Sequence, residues 1–396
     1  MSAFSQMGAV LRMNIASLPG RVGSSSVIVI GIAGVSAVLI SILSMVTGVV
    51  NMAAATGRPD RAIVLLRGSD AELPSVLSRE AVTTITDAPG IARDSAGKPL
   101  ASADILLIVD IPRGDGTTAN MTLRGIGAEG LAVRPEINLA SGRMFRPAVH
   151  ELIVGRSAEN RFTSLAVGSR LMLRGSDWTI VGSFDSGGDA RESELIGDAE
   201  TIASALRRDA FQSVTVLLDS PSAFDRFKDA LTANPTLAVD VTREPDFLRQ
   251  EIKPLTGILL PVAVILGAIM AIGATFGALN SMYAAVATRT REIATLRAIG
   301  FGPSAVVLSI LAEAVMLAML GGLAGALFVL AFFQGNIVTT TNGGFGLTQT
   351  LFRMIVTPEL VAVGVALAAF IGLIGGLFPA IRAARLPVAV GLRATF

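Results

Sequence analysis

The chain contains no cysteine. That absence excludes a disulfide framework, a thiolate metal site and a cysteine nucleophile. A single histidine, His150, removes every His-rich zinc site and most Ser-His-Asp schemes. Charge is scarce as well: 16% of the 396 residues, against about 25% in a typical soluble domain. The formal sum is +1, so no overall field points to nucleic acid. Aromatic residues make up only 5%. Hydrophobic residues fill the space instead, at 52%, with 41 glycines and a mean hydropathy of +0.64. These figures exclude disorder and argue against a wholly soluble protein. The length allows two or three domains.

Charge-free runs locate a membrane. Residues 22–57 and 254–288 carry no charge, 298–352 carry only Glu313, and 354–381 carry only Glu359. A bilayer core needs about 20 apolar residues in a helix. Each run therefore holds one expected span: 26–51, 256–284, 304–333 and 357–380. The third run is long enough for two. Its second half, from Gln334 through Thr339–Thr341 to Gly344, is polar and glycine-rich and reads as a loop. The first span is too long for the h-region of a signal peptide, about 7–15 residues, and reads as a retained helix.

Arginine and lysine near the helix ends set orientation. Arg12 and Arg21 precede the first span, Arg289, Arg291 and Arg297 lie between spans two and three, and Arg382, Arg385 and Arg393 follow the fourth. All three basic segments face the cytoplasm at once if there are four spans. The expected layout is a cytoplasmic amphipathic segment at 1–25, a cytoplasmic connection at 285–303 and a cytoplasmic tail at 381–396. Both termini are then inside a bacterial inner membrane. Residues 52–253 are outside, with 28 of the 31 acids.

This outer segment reads as mixed α/β. Ala62–Leu66 and Ile105–Val109 look like buried strands. Ser78 caps a helix that stops near Pro89-Gly90. The strand–helix–strand order at 213–241 suggests a separate sub-lobe. Chemistry is hard to find here. No Gly-x-x-x-x-Gly-Lys-Ser/Thr phosphate loop occurs anywhere in the chain. His150-Glu151 offers an acid–base pair, but without a metal partner or nucleophile nearby a surface loop before a strand fits better. Asp185, Asp189, Glu192 and Glu194 offer a calcium loop, although a solvated loop is the default. Trp178 reads as core. No catalytic residue, metal site or bound cofactor is assigned to this chain.

The spans carry small residues four apart: Gly273 and Gly277, Gly321 and Gly325, Gly372 and Gly376. Small residues let helix backbones approach closely in lipid, and some of these faces suit a dimer interface. Glu313 lies inside span three, where an acid is a functional candidate by default. Glu359 reads as an interfacial residue favoured by its helix dipole. The segment 288–300 reads as a short amphipathic helix. Its polar residues are Arg289, Arg291, Glu292 and Arg297, its apolar ones Ile293, Leu296 and Ile299, and Gly300 ends it.

That segment resembles the permeases of the MacB/FtsX/LolC-LolE class of ABC transporters. The likeness rests on Arg289, Glu292, Ile293, Arg297, Ala298, Ile299 and Gly300, then Glu313-Ala314 and Gly321-Gly322 with Gly325. Pro379-Ala380, Ala383-Ala384 and Leu386 resemble the ending of that class, although Pro387 follows directly where the class has Asp-Pro. Leu18-Pro19-Gly20-Arg21 resembles its entry to span one. The resemblance implies four membrane helices with a mixed α/β extracytoplasmic domain inserted between helices 1 and 2. It also implies a dimer with a second permease copy, the same or different. ATP and Mg would then sit on a separate cytoplasmic ATPase dimer that docks on 289–300. Partners besides lipids would include a periplasmic adaptor or outer-membrane channel. The implied task is export, or extraction from the outer leaflet, of a lipid, lipoprotein, peptide or amphiphile. The alternative is an FtsX-like signalling subunit that activates an extracytoplasmic hydrolase. An outer domain of roughly 200 residues favours transport.

Overall fold

The computed structural model describes residues 22–113, 116–341 and 349–389. The expected N-terminal segment with Arg12 and Arg21, the Leu18–Arg21 entry, Asn342–Gly344 and Arg393 lie outside the described residues. In chain order the helices are α1 (Val22–Thr56), α2 (Arg79–Thr86), α3 (Gly130–Val133), α4 (Arg156–Arg161), α5 (Ala199–Leu206), α6 (Phe224–Thr232), α7 (Glu244–Thr288), α8 (Thr290–Ala298), α9 (Pro303–Phe333) and α10 (Pro358–Arg385). The strands are β1 (Arg61–Leu66), β2 (Ala101–Pro112), β3 (Thr118–Ile126), β4 (Asn138–Gly142), β5 (Glu151–Gly155), β6 (Arg170–Leu173), β7 (Ser176–Asp185), β8 (Leu195–Asp198), β9 (Ser213–Leu217), β10 (Val239–Arg243), β11 (Ile337–Thr341) and β12 (Gln349–Arg353). Two compact units result. One comprises Met1–Thr47, Leu259–Asn336 and Met354–Phe396; the other comprises Gly48–Ile258 and Ile337–Arg353.

The first unit is helical. Among the described residues, α1, α7, α9 and α10 are long and apolar enough to cross a membrane. Pro303 and Pro358 open α9 and α10 at the first turn, where the missing N–H costs nothing. Thr357 caps α10 by accepting from Leu360 N at 3.4 Å. Glycines set the closeness of packing. A Cβ on Gly321 would stand 2.8 Å from Val29 O, and one on Gly325 would overlap Ala33 O, so α9 lies tightly on α1. Gly372 and Gly376 of α10 approach Ala318 and Ala314 of α9 as closely. Gly273 and Gly277 differ: a Cβ on either meets nothing within 4 Å. They line an open groove of α7 against α1 with Ile28, Gly31, Val35 and Met270. The expectation that all three glycine pairs pack helices therefore fails for the α7 pair within one chain.

The second unit is a sheet with helices. Strand order is β10-β1-β9-β2-β3-β8-β5-β7-β4, with β6 on β7. All pairings are antiparallel except β3 with β8 and β5 with β7. Strand β2 serves two lobes: Ala101–Asp104 pairs with β9 and Ile105–Pro112 pairs with β3. One core gathers Val64, Ile85, Val216 and Phe227; the other gathers Leu107, Leu123, Leu165 and Trp178. The 213–241 segment is not a lobe by itself, because β9 is flanked by β1 and β2. The lobe takes β1 and α2 from the opposite end of the segment.

Two boundaries differ from expectation. Helix α7 starts at Glu244, well before the charge-free run at 254–288. Its charged first turns are amphipathic, and Phe247 buries against Ile63 and Leu65 of β1. The expected loop after α9 contains strands β11 and β12, paired from Ile337–Arg353 to Thr341–Gln349. Ile337 to Thr341 is β-branched throughout, which suits a strand. The hairpin joins the α/β unit: Leu351 is buried in its core, and Ser193 Oγ accepts from Leu351 N at 3.0 Å.

Candidate functional site

The 289–313 junction belongs to the helical unit. Helix α7 ends at Thr288, and Arg289 breaks the helical dihedrals at φ −108°, ψ 9°. Thr290 then starts α8. Ile293 and Ala294 bury one face of it, in the cluster that holds Met282, Val286, Val306 and Ile310 or beside it. Gly300 ends the turn at φ +100°, a left-handed conformation that only glycine adopts without strain. Its N–H and that of Phe301 return to Arg297 O and Leu296 O, capping the helix. Gly302 leads to Pro303 and α9.

This turn returns α9 alongside the end of α7, and two sequence candidates meet. Arg289 Nη1 donates to Glu313 Oε2 at 2.8 Å, and its Nε donates to Glu292 Oε2 at 3.2 Å. Arg289 and Glu313 are 9% and 5% exposed. The apolar wall is Met282, Val286, Ile293, Val306 and Ile310, with Ser309 on the same wall. One guanidinium thus ties the start of α8 to α9 beside an apolar wall. Arg297, half-buried, donates to Leu386 O just beyond α10. Arg382 of α10 stands 5.6 Å from the Tyr283 ring of α7, a cation–π contact. Arg291 is exposed, and Leu296 is half-buried. Ile299, expected on the apolar face, is 68% exposed. A nine-residue helix ending at Ala298 leaves it in the cap.

The α/β unit holds a second set of buried charges that the sequence reading missed. Arg124 of β3 pairs with Glu194 at 2.7 Å and Glu72 at 2.9 Å, and reaches Asp104 at 3.4 Å. Arg134 pairs with Asp104. Glu244, the first residue of α7, pairs with Arg61 of β1 at 2.6 Å and Arg191 at 2.7 Å. Burial alone would raise the Glu72 carboxyl, but Arg124, with a hydroxyl bond from Ser213, holds it down at about 2. These residues come from separate strands and loops, so no local pattern marks them. The 185–194 acids are not a solvated loop: Asp189, Glu192 and Glu194 are buried. Glu192 accepts from Ser157 Oγ at 2.7 Å and Gly188 N at 2.6 Å. Among the described residues, no group of three or more acids, histidines or cysteines could hold a metal. His150 stacks on Trp178 at 4.6 Å. Glu151 is bonded by Arg143 and then Arg146, which hold its carboxyl down at about 2, too acidic for a general base at neutral pH. Glu359 sits in the first turn of α10.

Comparison with known proteins places this geometry. A family model described as the FtsX-like permease C-terminal matches residues 264–388, which contain the α8 segment, Glu313 and the Pro379–Leu386 run. One described as the MacB-like periplasmic core domain matches residues 25–234. The macrolide export ATP-binding/permease protein MacB of Psychrobacter cryohalolentis is 24% identical over 386 residues, covering 88% of this chain and 56% of that protein. MacB of Campylobacter jejuni is 31% identical over 163 residues, 41% of this chain and 21% of that protein. The chain spans about half the length of the first relative. The extracellular domain of the noncanonic ABC-type transporter YknZ aligns over 46% of this chain and 99% of its own, at 18% identity and TM-score 0.36. The periplasmic region of MacB from Actinobacillus actinomycetemcomitans aligns over 50% and 95%, at 13% identity and TM-score 0.39. The core-domain match alone spans just over half of the chain and the permease match covers α8, α9 and α10, so this protein belongs to the MacB/FtsX-like family of ABC transporter permeases.

Proposed function

We propose that this chain is the permease through which a separate cytoplasmic ATPase dimer drives work at the outer face of a membrane, with α8 as the surface the ATPase moves. The observation that carries this is the three-way bond at Arg289. A displacement of α8 reaches α9 through Arg289–Glu313, and reaches the end of α10 through Arg297 and Leu386. A helix joined to its neighbours by buried charge transmits force; one floating at an interface does not.

The hairpin supports one orientation. Strands β11 and β12 pack on the α/β unit, so the α9–α10 connection and the large domain share one side. The arginine-rich connection at 289–297 then takes the other side, the cytoplasm by its charge. The work is export, or extraction from the outer leaflet, of a lipid, lipoprotein, peptide or amphiphile. A second permease copy completes the assembly.

The test uses full-length chain, affinity-purified from membranes of cells that express it natively. Wild type should bring down a vanadate-sensitive ATPase. Glu292→Lys places a cation on the exposed part of α8 and should reduce the recovered ATPase at least tenfold, while membrane insertion and yield stay normal. Glu200→Lys in the α/β domain should recover the wild-type amount. Equal recovery with Glu292→Lys and wild type would overturn the docking role of α8.

A further inference from the structure

The α/β unit encloses a cavity of about 390 Å³. That lies at the lower end of the range for small-molecule sites, about 300–1,000 Å³. Its wall is of two kinds. Met52, Ile63, Leu73, Phe247, Leu248 and Ile252 give an apolar side, formed by the end of α1, β1 and the start of α7. The polar side holds three arginines against five carboxylates: Arg124, Arg134 and Arg191 face Asp70, Glu72, Glu194, Glu244 and Glu251.

The arginines are already committed. Arg124 serves Glu72 and Glu194, Arg134 serves Asp104, and Arg191 serves Glu244. Glu251 remains. It is half-buried on the cavity wall, and it takes part in no ion pair or hydrogen bond among the described residues. A carboxylate withdrawn from water without a partner is costly, and its neighbours Glu72 and Glu194 add repulsion. Burial first, and then Glu72, push its carboxyl up to about 7. An anion would meet an excess of acid here. A hard metal ion needs six or more oxygen ligands, and among the described residues only Asp70 and Glu251 are free to supply them.

We infer that this cavity binds a small organic cation, a protonated amine seated on Glu251 with its hydrocarbon body against Phe247, Leu248 and Met52. The site lies within the α/β unit and does not depend on the ATPase role proposed for α8.

The probe is n-octylamine, with n-octanol as its neutral counterpart, titrated calorimetrically into full-length protein in lipid nanodiscs at pH 8 after subtraction of empty discs. Octylamine should bind saturably, one per chain, at least tenfold more tightly than octanol. Glu251→Gln should erase that preference. Leu248→Phe, which narrows the apolar side and leaves the charge in place, should weaken both ligands. At pH 6 the preference should shrink in wild type, because Glu251 takes up a proton. The charged groups that face it are Glu72, Glu194, Arg124 and Arg191; Glu72 is held down at about 2 and both arginines are held up, so these three keep their charge over this range. Trp178 emission, from the buried core of the same unit, verifies that each variant is folded. Equal affinity for amine and alcohol in wild type, purely non-saturable uptake, or an undiminished preference in Glu251→Gln would each overturn the site.

Discussion

The two units bury charge by opposite strategies. The helical unit holds one arginine, Arg289, between the buried Glu313 and the exposed Glu292. The α/β unit buries four arginines, Arg61, Arg124, Arg134 and Arg191, among a larger set of carboxylates. The first arrangement is one small cluster beside an apolar contact, so its loss weakens the join between α8 and α9. The second is a mesh in which each arginine serves two or more acids or backbone groups, so several elements are braced together. The proposed function needs both a defined lever and a rigid load. Glu244 shows where the mesh grips. It opens α7 and is fixed by Arg61 and Arg191, so any movement of that helix end is passed to β1.

The mesh gives the largest expected effect. Arg124→Met strands Glu72 and Glu194 together in a buried site, while Asp104 keeps Arg134. Removing one partner of a buried pair costs about 3–5 kcal/mol, and two carboxylates lose their cation here. Full-length Arg124→Met should lose the cooperative unfolding transition of Trp178, the only tryptophan in the chain. A transition within a few degrees of wild type would mean that the mesh is dispensable.

The lever gives the next effect. Arg289→Met leaves Glu313 buried and unpaired and should cost about 3 kcal/mol. Glu313→Met alone leaves Arg289 with Glu292 at the edge of the site and should cost less. Arg289→Met with Glu313→Met should recover most of the loss, since apolar side chains then fill an apolar site. Urea unfolding in detergent, followed through the emission of Tyr283, the only tyrosine, gives the cycle. Additive losses would show that the two residues do not act as a pair. The rescued double variant also separates stability from transmission: it should fold well and still couple poorly to ATP hydrolysis.

How much of this was legible depended on range. The four spans follow from charge-free runs, and the end of α8 follows from Gly300, because both are local properties of the chain. Ser78 caps α2 as its position before an amphipathic run suggests, accepting from Ala81 N at 3.2 Å. Glu313 stood out as an intramembrane acid, but its partner lay 24 residues away across a helical turn. The basic residue nearest along the chain, Arg297, turns to Leu386 O instead, so distance in sequence points to the wrong partner. The 185–194 acids read as solvated because their local charge density is high. Their partners, Arg124 and Ser157, come from other elements and reverse that reading. Gly273-x-x-x-Gly277 and Gly321-x-x-x-Gly325 are the same pattern in sequence. Only the neighbouring helix distinguishes a closed contact from an open groove. The β11–β12 hairpin was hidden by the glycine and polar residues around it, although its β-branched run was in view.

The smallest effect has the opposite sign and tests the acid excess of the mesh directly. The Glu251 carboxyl is raised to about 7 by burial and by Glu72, against about 4.3 in the unfolded chain. Between those values the folded state binds more protons than the unfolded one, so this group makes stability fall as pH rises from about 4 to 7. Glu72, held down at about 2, does the reverse: its contribution is present above about 4 and lost as pH falls toward 2. Glu251→Gln removes only the first effect. At pH 8 the variant should be more stable than wild type by on the order of 1–3 kcal/mol, one pKa unit being about 1.4 kcal/mol. At pH 4.5 the two should coincide, and both should weaken together below pH 4 as Glu72 takes up its proton. Melting of full-length protein, read through Trp178 at the three pH values, gives the comparison. A variant less stable than wild type at pH 8 would mean that Glu251 has a partner in the folded protein, and that the excess of acid in the mesh is balanced after all.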